Sequence, residues 1–393
     1  MQKRGKQLFP SKKIDSFENM LMLNSPIKFK PTVQVFYQPN KIFIRSNGYF
    51  ITIPDDNGVF KATFELLDGQ HTVKAISEKL ITQFPEASEE NLTDVICDLD
   101  EQYLLEKSDT APSKILTDYD LERWHRNLDF FNSYCRLSDN KYGAQAKIKQ
   151  ARILLLGLGG LGSHILYDLV ALGATDIRAV DFDKIDLTNL NRQILYGEDN
   201  IGQLKTEAAE QRIKQFCSQL DVDFINHRIS GAADIERLLE GREIVICVAD
   251  KPKEHILNWL NEACTKQGIP FINGGLDTQR AVYCSVIPGQ SGCIHCWKTC
   301  VEAKSGDSAN LLQAESAADA AESQPAPAIV PLVSAITSFV VAEFVRIVTN
   351  IAKPVATNKL LSVDFDTMQV KPAEVWQRQI DCDYCGKGTH DAY

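Results

Sequence analysis

An α/β fold centred on a βαβ unit is predicted by three observations. Ile153–Leu156 is an unbroken apolar run, the mark of a strand buried on both faces. Gly157, Gly159, Gly160 and Gly162 then turn the chain into an apolar helix, Leu161–Leu172, closed by Gly173. Asp176–Asp181 follows as a second strand with an acid at its carboxyl end. A backbone without side chains can approach a phosphate, and a helix N-terminus supplies free N–H groups and a positive dipole end. The spacing of Asp181 suits a ribose hydroxyl. Taken alone, the pattern specifies a nucleotide-binding unit and fits a nicotinamide enzyme equally well.

The 393 residues are too many for one ordinary core, so two domains are expected, and 44% hydrophobic against 24% charged residues is a soluble composition. The first fifty residues carry nine Lys/Arg against two Asp/Glu in a chain of net charge −10. An acidic partner or a solvated tail accounts for such an arm better than nucleic acid does. Met1–Lys13 has no apolar core, so no signal peptide is read. The apolar run Ile329–Val348 is interrupted by Pro331, Glu343 and Arg346, and is expected to be a core helix rather than a membrane span. Eleven cysteines without a secretory signal argue for metal ligation in a reducing, cytoplasmic setting.

In chain order, residues 1–30 read as a flexible basic arm. Residues 31–110 read as a small winged-helix-like α+β domain. Its strands are Val33–Tyr37, Lys41–Arg45 and Tyr49–Ile53; its helices are Phe60–Leu67, Thr72–Phe84 and Ser88–Glu101; Tyr103–Leu105 closes it. It holds no set of catalytic residue types, and an exposed strand edge beside a helix is a ready site for an added peptide strand. Ala111–Thr117 is a linker and Asp118–Gln150 a helical lead-in to a domain spanning 111–393. Beyond Asp181 the pattern gives a helix over Lys205–Leu220, strands Phe224–Ile229 and Glu243–Val248, a helix over His255–Gln267, and strands Ile269–Asn273 and Ala281–Ile287. Trp297–Ala328, polar and rich in Ala and Ser, reads as a long crossover loop. Helix 329–349 and strands Leu360–Asp364 and Met368–Lys371 complete the domain.

Two sets of residues carry chemistry. Cys293-Ile-His-Cys296 and Cys382-Asp-Tyr-Cys385 are two CxxC knuckles, which together make a closed structural zinc site with His295 a bystander. Asn189, Arg192 and Lys205 lie just beyond the second strand, where the phosphates of a nucleotide belong, and Asp250 ends a nearby strand. Attack of a carboxylate on an α-phosphate needs such a clamp: cations neutralise the growing charge and an Asp holds magnesium.

Gly157-x-Gly-Gly-Leu-Gly162, Asp181-Phe-Asp183, Asn189-Leu-Asn-Arg-Gln193, Gly202-x-x-Lys205 and both CxxC pairs occur in the order found in the ThiF/MoeB/HesA family, prokaryotic relatives of ubiquitin-activating enzymes. The chain from about Leu116 to Cys385 resembles that family. The resemblance implies a Rossmann-like adenylation domain with a mixed sheet and structural zinc, forming acyl-adenylates from carboxylates and ATP. It places Asp181 on the ribose, Asp183 beside it in the nucleotide motif, Asn189, Arg192 and Lys205 on the phosphates, and Asp250 on magnesium. Arg123-Trp-His-Arg126 resembles the family's Arg-x-x-Arg element, with Arg126 an arginine finger reaching into a partner subunit, so a homodimer is implied. Two departures stand out. Lys251, not Asn, follows Asp250, and Glu322–Pro331 has no cysteine where sulfur-transferring members carry one, which argues against a thioester step.

An N-terminal module on such a domain resembles the layout of microcin C-type and pantocin-type maturation enzymes. It implies recognition of a precursor's leader peptide, adenylation of a carboxylate on that peptide, and intramolecular displacement of AMP. A Glu or Asp side chain followed by cyclisation is favoured over the C-terminus. Activation of a ubiquitin-like sulfur carrier and a non-catalytic peptide-delivery subunit are the alternatives.

Overall fold

The computed structural model describes residues 24–85, 87–304 and 327–386. Two compact units divide at Ala146/Lys147, so most of the helical lead-in belongs with the first unit.

In the first unit β1 (Ile27–Phe29) pairs antiparallel with the later β5 (Leu105–Lys107). Between them β2 (Gln34–Gln38), β3 (Lys41–Ser46) and β4 (Tyr49–Pro54) form an antiparallel sheet in that order. Ile42, Ile44 and Ile53 face the core, while Phe36 and Phe50 stay exposed. Helices α1 (Val59–Leu66), α2 (Val73–Leu80) and α3 (Glu89–Glu101) cover the inner face. Each start is capped: the Asp55 carboxylate accepts from the Phe60 and Lys61 N–H groups, Thr72 from Ala75, and Ser88 from Asn91. Helices α4 (Asp118–Arg123) and α5 (His125–Asn132) follow, with α6 (Gly143–Gln150) bridging to the second unit.

The sequence-based arm ends too late. Ile27 is fully buried, Lys28 pairs with Glu106 at 3.2 Å, and Lys30 donates to the Cys135 carbonyl at 2.6 Å. An apolar residue and two anchored lysines make 27–30 part of the fold; residues 1–23 lie outside the described ones. Burial pushes the Lys30 amine down to about 8.

The second unit is an eight-stranded mixed sheet. Its strands are β6 (Arg152–Leu156), β7 (Asp176–Asp181), β8 (Asp221–Asn226), β9 (Ile244–Cys247), β10 (Phe271–Asp277), β11 (Arg280–Val286), β12 (Lys359–Asp364) and β13 (Val370–Val375). The order is β13-β12-β11-β10-β9-β6-β7-β8, parallel from β10 to β8 and antiparallel from β10 to β13. The chain leaves β6 to one side for β7 and β8, then returns to its other side for β9. That reversal opens a crevice at the carboxyl ends of β6 and β9.

Helices α7 (Gly160–Leu172), α8 (Lys205–Phe216), α9 (Ala232–Leu238), α10 (Lys253–Gln267), α11 (Ile294–Lys304) and α12 (Val330–Thr349) flank the sheet. Three sequence expectations shift. The helix from Lys205 ends at Phe216, and β8 starts at Asp221 rather than Phe224, in register with Asp176 of β7. Met368, with φ 51°, lies in the turn before β13. The crossover loop does not begin at Trp297: α11 runs through that residue to Lys304, because Trp297 packs on Trp376 at 6.3 Å. Residues 305–326 of that loop lie outside the described ones.

Helix α12 is long and apolar enough to cross a membrane, yet it packs on α7, β10 and β11. Its Glu343 is fully buried and accepts from Ser285 Oγ at 2.8 Å, Ala356 N at 2.9 Å and Val355 N at 3.0 Å. Such a carboxylate staples α12 to β11 and to the segment before β12. Glu343→Ala would orphan two buried donors, on Ser285 and Ala356, and the part-buried Val355 N–H, and we expect a loss of about 3 kcal/mol in urea unfolding of this unit. Ala356→Gly at the same staple should cost far less, since the backbone N–H persists.

Candidate nucleotide site

The glycine turn is shaped by close approach. Gly157 has φ 96°, and a Cβ there would lie 2.9 Å from the Ala249 nitrogen beyond β9. A Cβ on Gly162 would lie 1.8 Å from the Gly157 carbonyl oxygen, so no side chain fits. Between them the Leu158 peptide is held on both sides. Its N–H donates to Asp181 Oδ2 at 2.7 Å, and its carbonyl accepts from the Tyr196 hydroxyl at 2.8 Å. Gly159 caps α7, so the first N–H groups of that helix open at the carboxyl end of β6.

Asp181 thus has a structural duty in addition to the ribose contact expected of it. Its second oxygen accepts from the Asp183 N–H at 2.8 Å. Burial pushes its carboxyl up, against the opposing pull of Lys205 and these N–H bonds. Lys205 starts α8, is buried, and reaches Asp183 Oδ2 at 2.9 Å, while its own N–H bonds the Asp183 carbonyl at 3.0 Å. Lys205 and Asp183 therefore form one buried-to-exposed ion pair beside Asp181.

Arg192 is half-buried over the helix start. Its stem lies 3.3 Å from the position of a Cβ on Gly160, its guanidinium bonds Thr188 O and Asn191 Oδ1, and its carbonyl meets His164 Nε2 at 3.1 Å. Asn189 closes a 3-10 turn, Leu187–Asn189, with Oδ1 accepting the Asp186 N–H at 3.2 Å. Asp250 is exposed just past β9. Asp181, Arg192 and Lys205 gather at the glycine turn, and Asp250 stands two residues beyond Val248, whose N–H bonds Leu156 O in β6. Arg126 is exposed on α5 in the other unit. His164 and Tyr196 did not emerge from the sequence reading, and Gln193 entered it only as the last residue of the Asn189–Gln193 motif. Tyr196 lies three residues beyond that motif, and an apolar-flanked Tyr after a cationic loop was the available sign.

The four knuckle cysteines are buried and their sulfurs lie within 4.8 Å of one another. Cys293–Cys382 at 3.7 Å and Cys296–Cys385 at 3.4 Å approach the roughly 3.8 Å edge of a tetrahedral four-thiolate zinc. Hydrogen bonds from Cys293 and Cys385 pull the Cys296 thiol down, and the Gln379 N–H at 3.4 Å adds to this. The donor set fits a closed structural zinc. His295 is exposed against Tyr384 and takes no part. By contrast, burial pushes the Cys247 and Cys284 thiols up to about 12, which keeps them protonated core groups.

A glycine-turn site at the reversal point of a mixed sheet is that of a nucleotide-binding α/β domain. Residues 131–384 match the ThiF family, and the chain belongs to it. The sulfur carrier protein ThiS adenylyltransferase of Bacillus subtilis is 32% identical over 154 residues, 39% of this chain and 45% of that protein. The chain thus matches under half the length of that relative. The molybdopterin-synthase adenylyltransferase of Salmonella typhimurium is 25% identical over 275 residues, 69% of this chain and 99% of that protein. Among solved structures, E. coli MccB with AMPCPP and MccA shares the fold at TM-score 0.71 and 23% identity, covering 92% of this chain and 99% of that one.

The knuckles join α11 to the C-terminal segment, so Cys382→Ser should release zinc and lower the melting temperature by several degrees. One zinc per chain in wild-type protein, measured by atomic emission, is the expected stoichiometry.

Proposed function

We propose that the protein is an ATP-dependent adenylyltransferase that activates a carboxylate on a ribosomally made precursor peptide. The observation that carries this reading is the convergence of Arg192, the Lys205–Asp183 pair and the opening of α7 at one crevice. A donor set of this kind suits an α-phosphate acquiring charge. Family membership supports adenylation, since the ThiF-family relatives above are adenylyltransferases. Here Lys205 and Arg192 neutralise the phosphates, Asp181 holds the ribose, and Asp250, an exposed hard carboxylate, suits Mg2+. Magnesium would shield the triphosphate; the protein supplies orientation and the fixed cations. The peptide's carboxylate attacks the α-phosphorus, pyrophosphate leaves, and a nucleophile of the same peptide displaces AMP.

The first unit is the extra part, and it supports a peptide substrate. Among the described residues β2 and β4 are edge strands, and an apolar groove of about 270 Å³ lies between α1 and α3, lined by Phe60, Leu80, Leu92 and Val95. A leader added as a strand would place side chains toward such a groove. MccB, described as a microcin C7 biosynthetic enzyme and solved with N-formylated MccA, shares the fold over nearly the whole chain. We assign the activated group to a Glu or Asp side chain with cyclisation, in a homodimer where Arg126 completes the neighbouring site, in the cytoplasm. The sulfur-carrier adenylyltransferases among its relatives favour a second reading, a Gly-Gly-tailed carrier as substrate.

ATP–pyrophosphate exchange tests both. Exchange stimulated by a precursor peptide is expected, abolished in Asp250→Ala and reduced on the order of 10²–10³-fold in Lys205→Ala. Stimulation by a small Gly-Gly-tailed protein instead would transfer the reading to the carrier. Tight peptide binding without exchange would leave only a delivery subunit.

A further inference from the structure

Gln193 follows Arg192 in the loop. Its side chain is buried, 3% exposed, and its Oε1 has no hydrogen-bond partner. Its backbone N–H is fixed to the Asn189 carbonyl at 3.0 Å, so the loop itself sets where the side chain goes. The direction is toward the glycine turn: Nε2 lies 3.9 Å from the position a Cβ would take on Gly159. A polar oxygen out of water without a partner is costly, and folding alone gives no reason to keep one there.

A carboxamide offers one donor face and one acceptor face side by side. A nucleoside 5′-phosphate presents the complementary pair, phosphoryl oxygens that accept and ribose hydroxyls that donate. The Leu158 N–H cannot serve the Gln193 oxygen, because Asp181 already takes it. We propose that Gln193 is a further nucleotide-binding residue, its NH2 meeting a phosphoryl oxygen at the start of α7 and its oxygen receiving a ribose hydroxyl. This rests on the nucleotide reading of the site given above. Inorganic pyrophosphate, which lacks the hydroxyl, would use half of the group.

Gln193→Leu removes both faces at nearly constant volume, and Gln193→Glu keeps an acceptor while opposing the phosphate. Melting curves of full-length protein without ligand, with ATP and with pyrophosphate, alongside calorimetric ATP titration, separate binding from folding. Gln193→Leu should melt without ligand at or above the wild-type temperature and bind ATP about tenfold more weakly. Gln193→Glu should be weaker still, and the loss for pyrophosphate should be smaller than that for ATP. A Gln193→Leu protein with a wild-type ATP affinity would overturn the assignment. So would a lowered melting point without ligand and an unchanged ATP-induced shift, which is the behaviour of a purely structural residue. Should Gln193→Leu fail to fold, the Gln193→Glu comparison decides alone. Wild-type protein with no ATP-induced shift would remove the nucleotide reading itself, and this inference with it.

Discussion

The Leu158 peptide, gripped from both sides, is the constraint around which the second unit is arranged. Asp181 takes its N–H and Tyr196 its carbonyl, so the turn between β6 and α7 cannot relax even though four glycines, Gly157, Gly159, Gly160 and Gly162, surround it. The freedom of those glycines is spent on close approach: Gly157 lies against the Ala249 backbone, and Gly162 against the Gly157 carbonyl. A flexible sequence becomes a rigid anion-binding opening because its neighbours come from β7 and from the loop before α8. The carboxylate expected to read a sugar also builds the platform on which the phosphates would lie. Substitution there would therefore disturb two things at once, and loss of function at Asp181 would not by itself report a ribose contact.

The sheet's reversal explains why charges distant in sequence share one crevice. Asp181 and Lys205 arrive from one side of β6, Asp250 from the other, and Arg192 crosses above on a loop anchored by His164. The antiparallel half does a different task. Glu343 and the four sulfurs tie α12, β11, α11 and the C-terminal segment together, away from the glycine turn. A closed thiolate set has no open coordination position, and a fully bonded carboxylate has no free acceptor to offer, so both are suited to stiffness rather than chemistry.

Much of this was legible because it rests on local rules. Apolar runs, glycine spacing and paired CxxC knuckles report strand burial, tight turns and metal geometry within a few residues of themselves. What escaped the sequence was decided by distant partners. Ile27–Phe29 is too short and too flanked by lysines to announce a strand; β5, far along the chain, makes it one. The apparent loop from Trp297 starts as helix because Trp376 and the sulfur cluster hold its first turns. The Asn189 oxygen closes a local turn, a bond the residue type alone does not announce. Tyr196 carries no recognisable spacing, and only its bond to the Leu158 carbonyl shows what it does.

The division of labour between the units follows from what each contains. The second unit holds fixed cations, a helix opening and carboxylates, which on the proposed function would act on the triphosphate and be indifferent to what bears the attacking carboxylate. Among its described residues the first holds an exposed aromatic sheet face, strand edges with no partner strand and an apolar groove, with its buried charges committed to internal pairs such as Lys28–Glu106. Under the proposed function, selectivity for one carboxylate over another would come from binding at a distance from the reacting atoms, through added strand and groove contacts. Under the function proposed above, a leader held by the first unit would raise the local concentration of its own carboxylate for the second, and the nucleophile on the same peptide would arrive by the same tether. Such an arrangement would need no thioester to retain the activated acyl group, in keeping with a crossover sequence that carries no cysteine from Glu322 to Pro331.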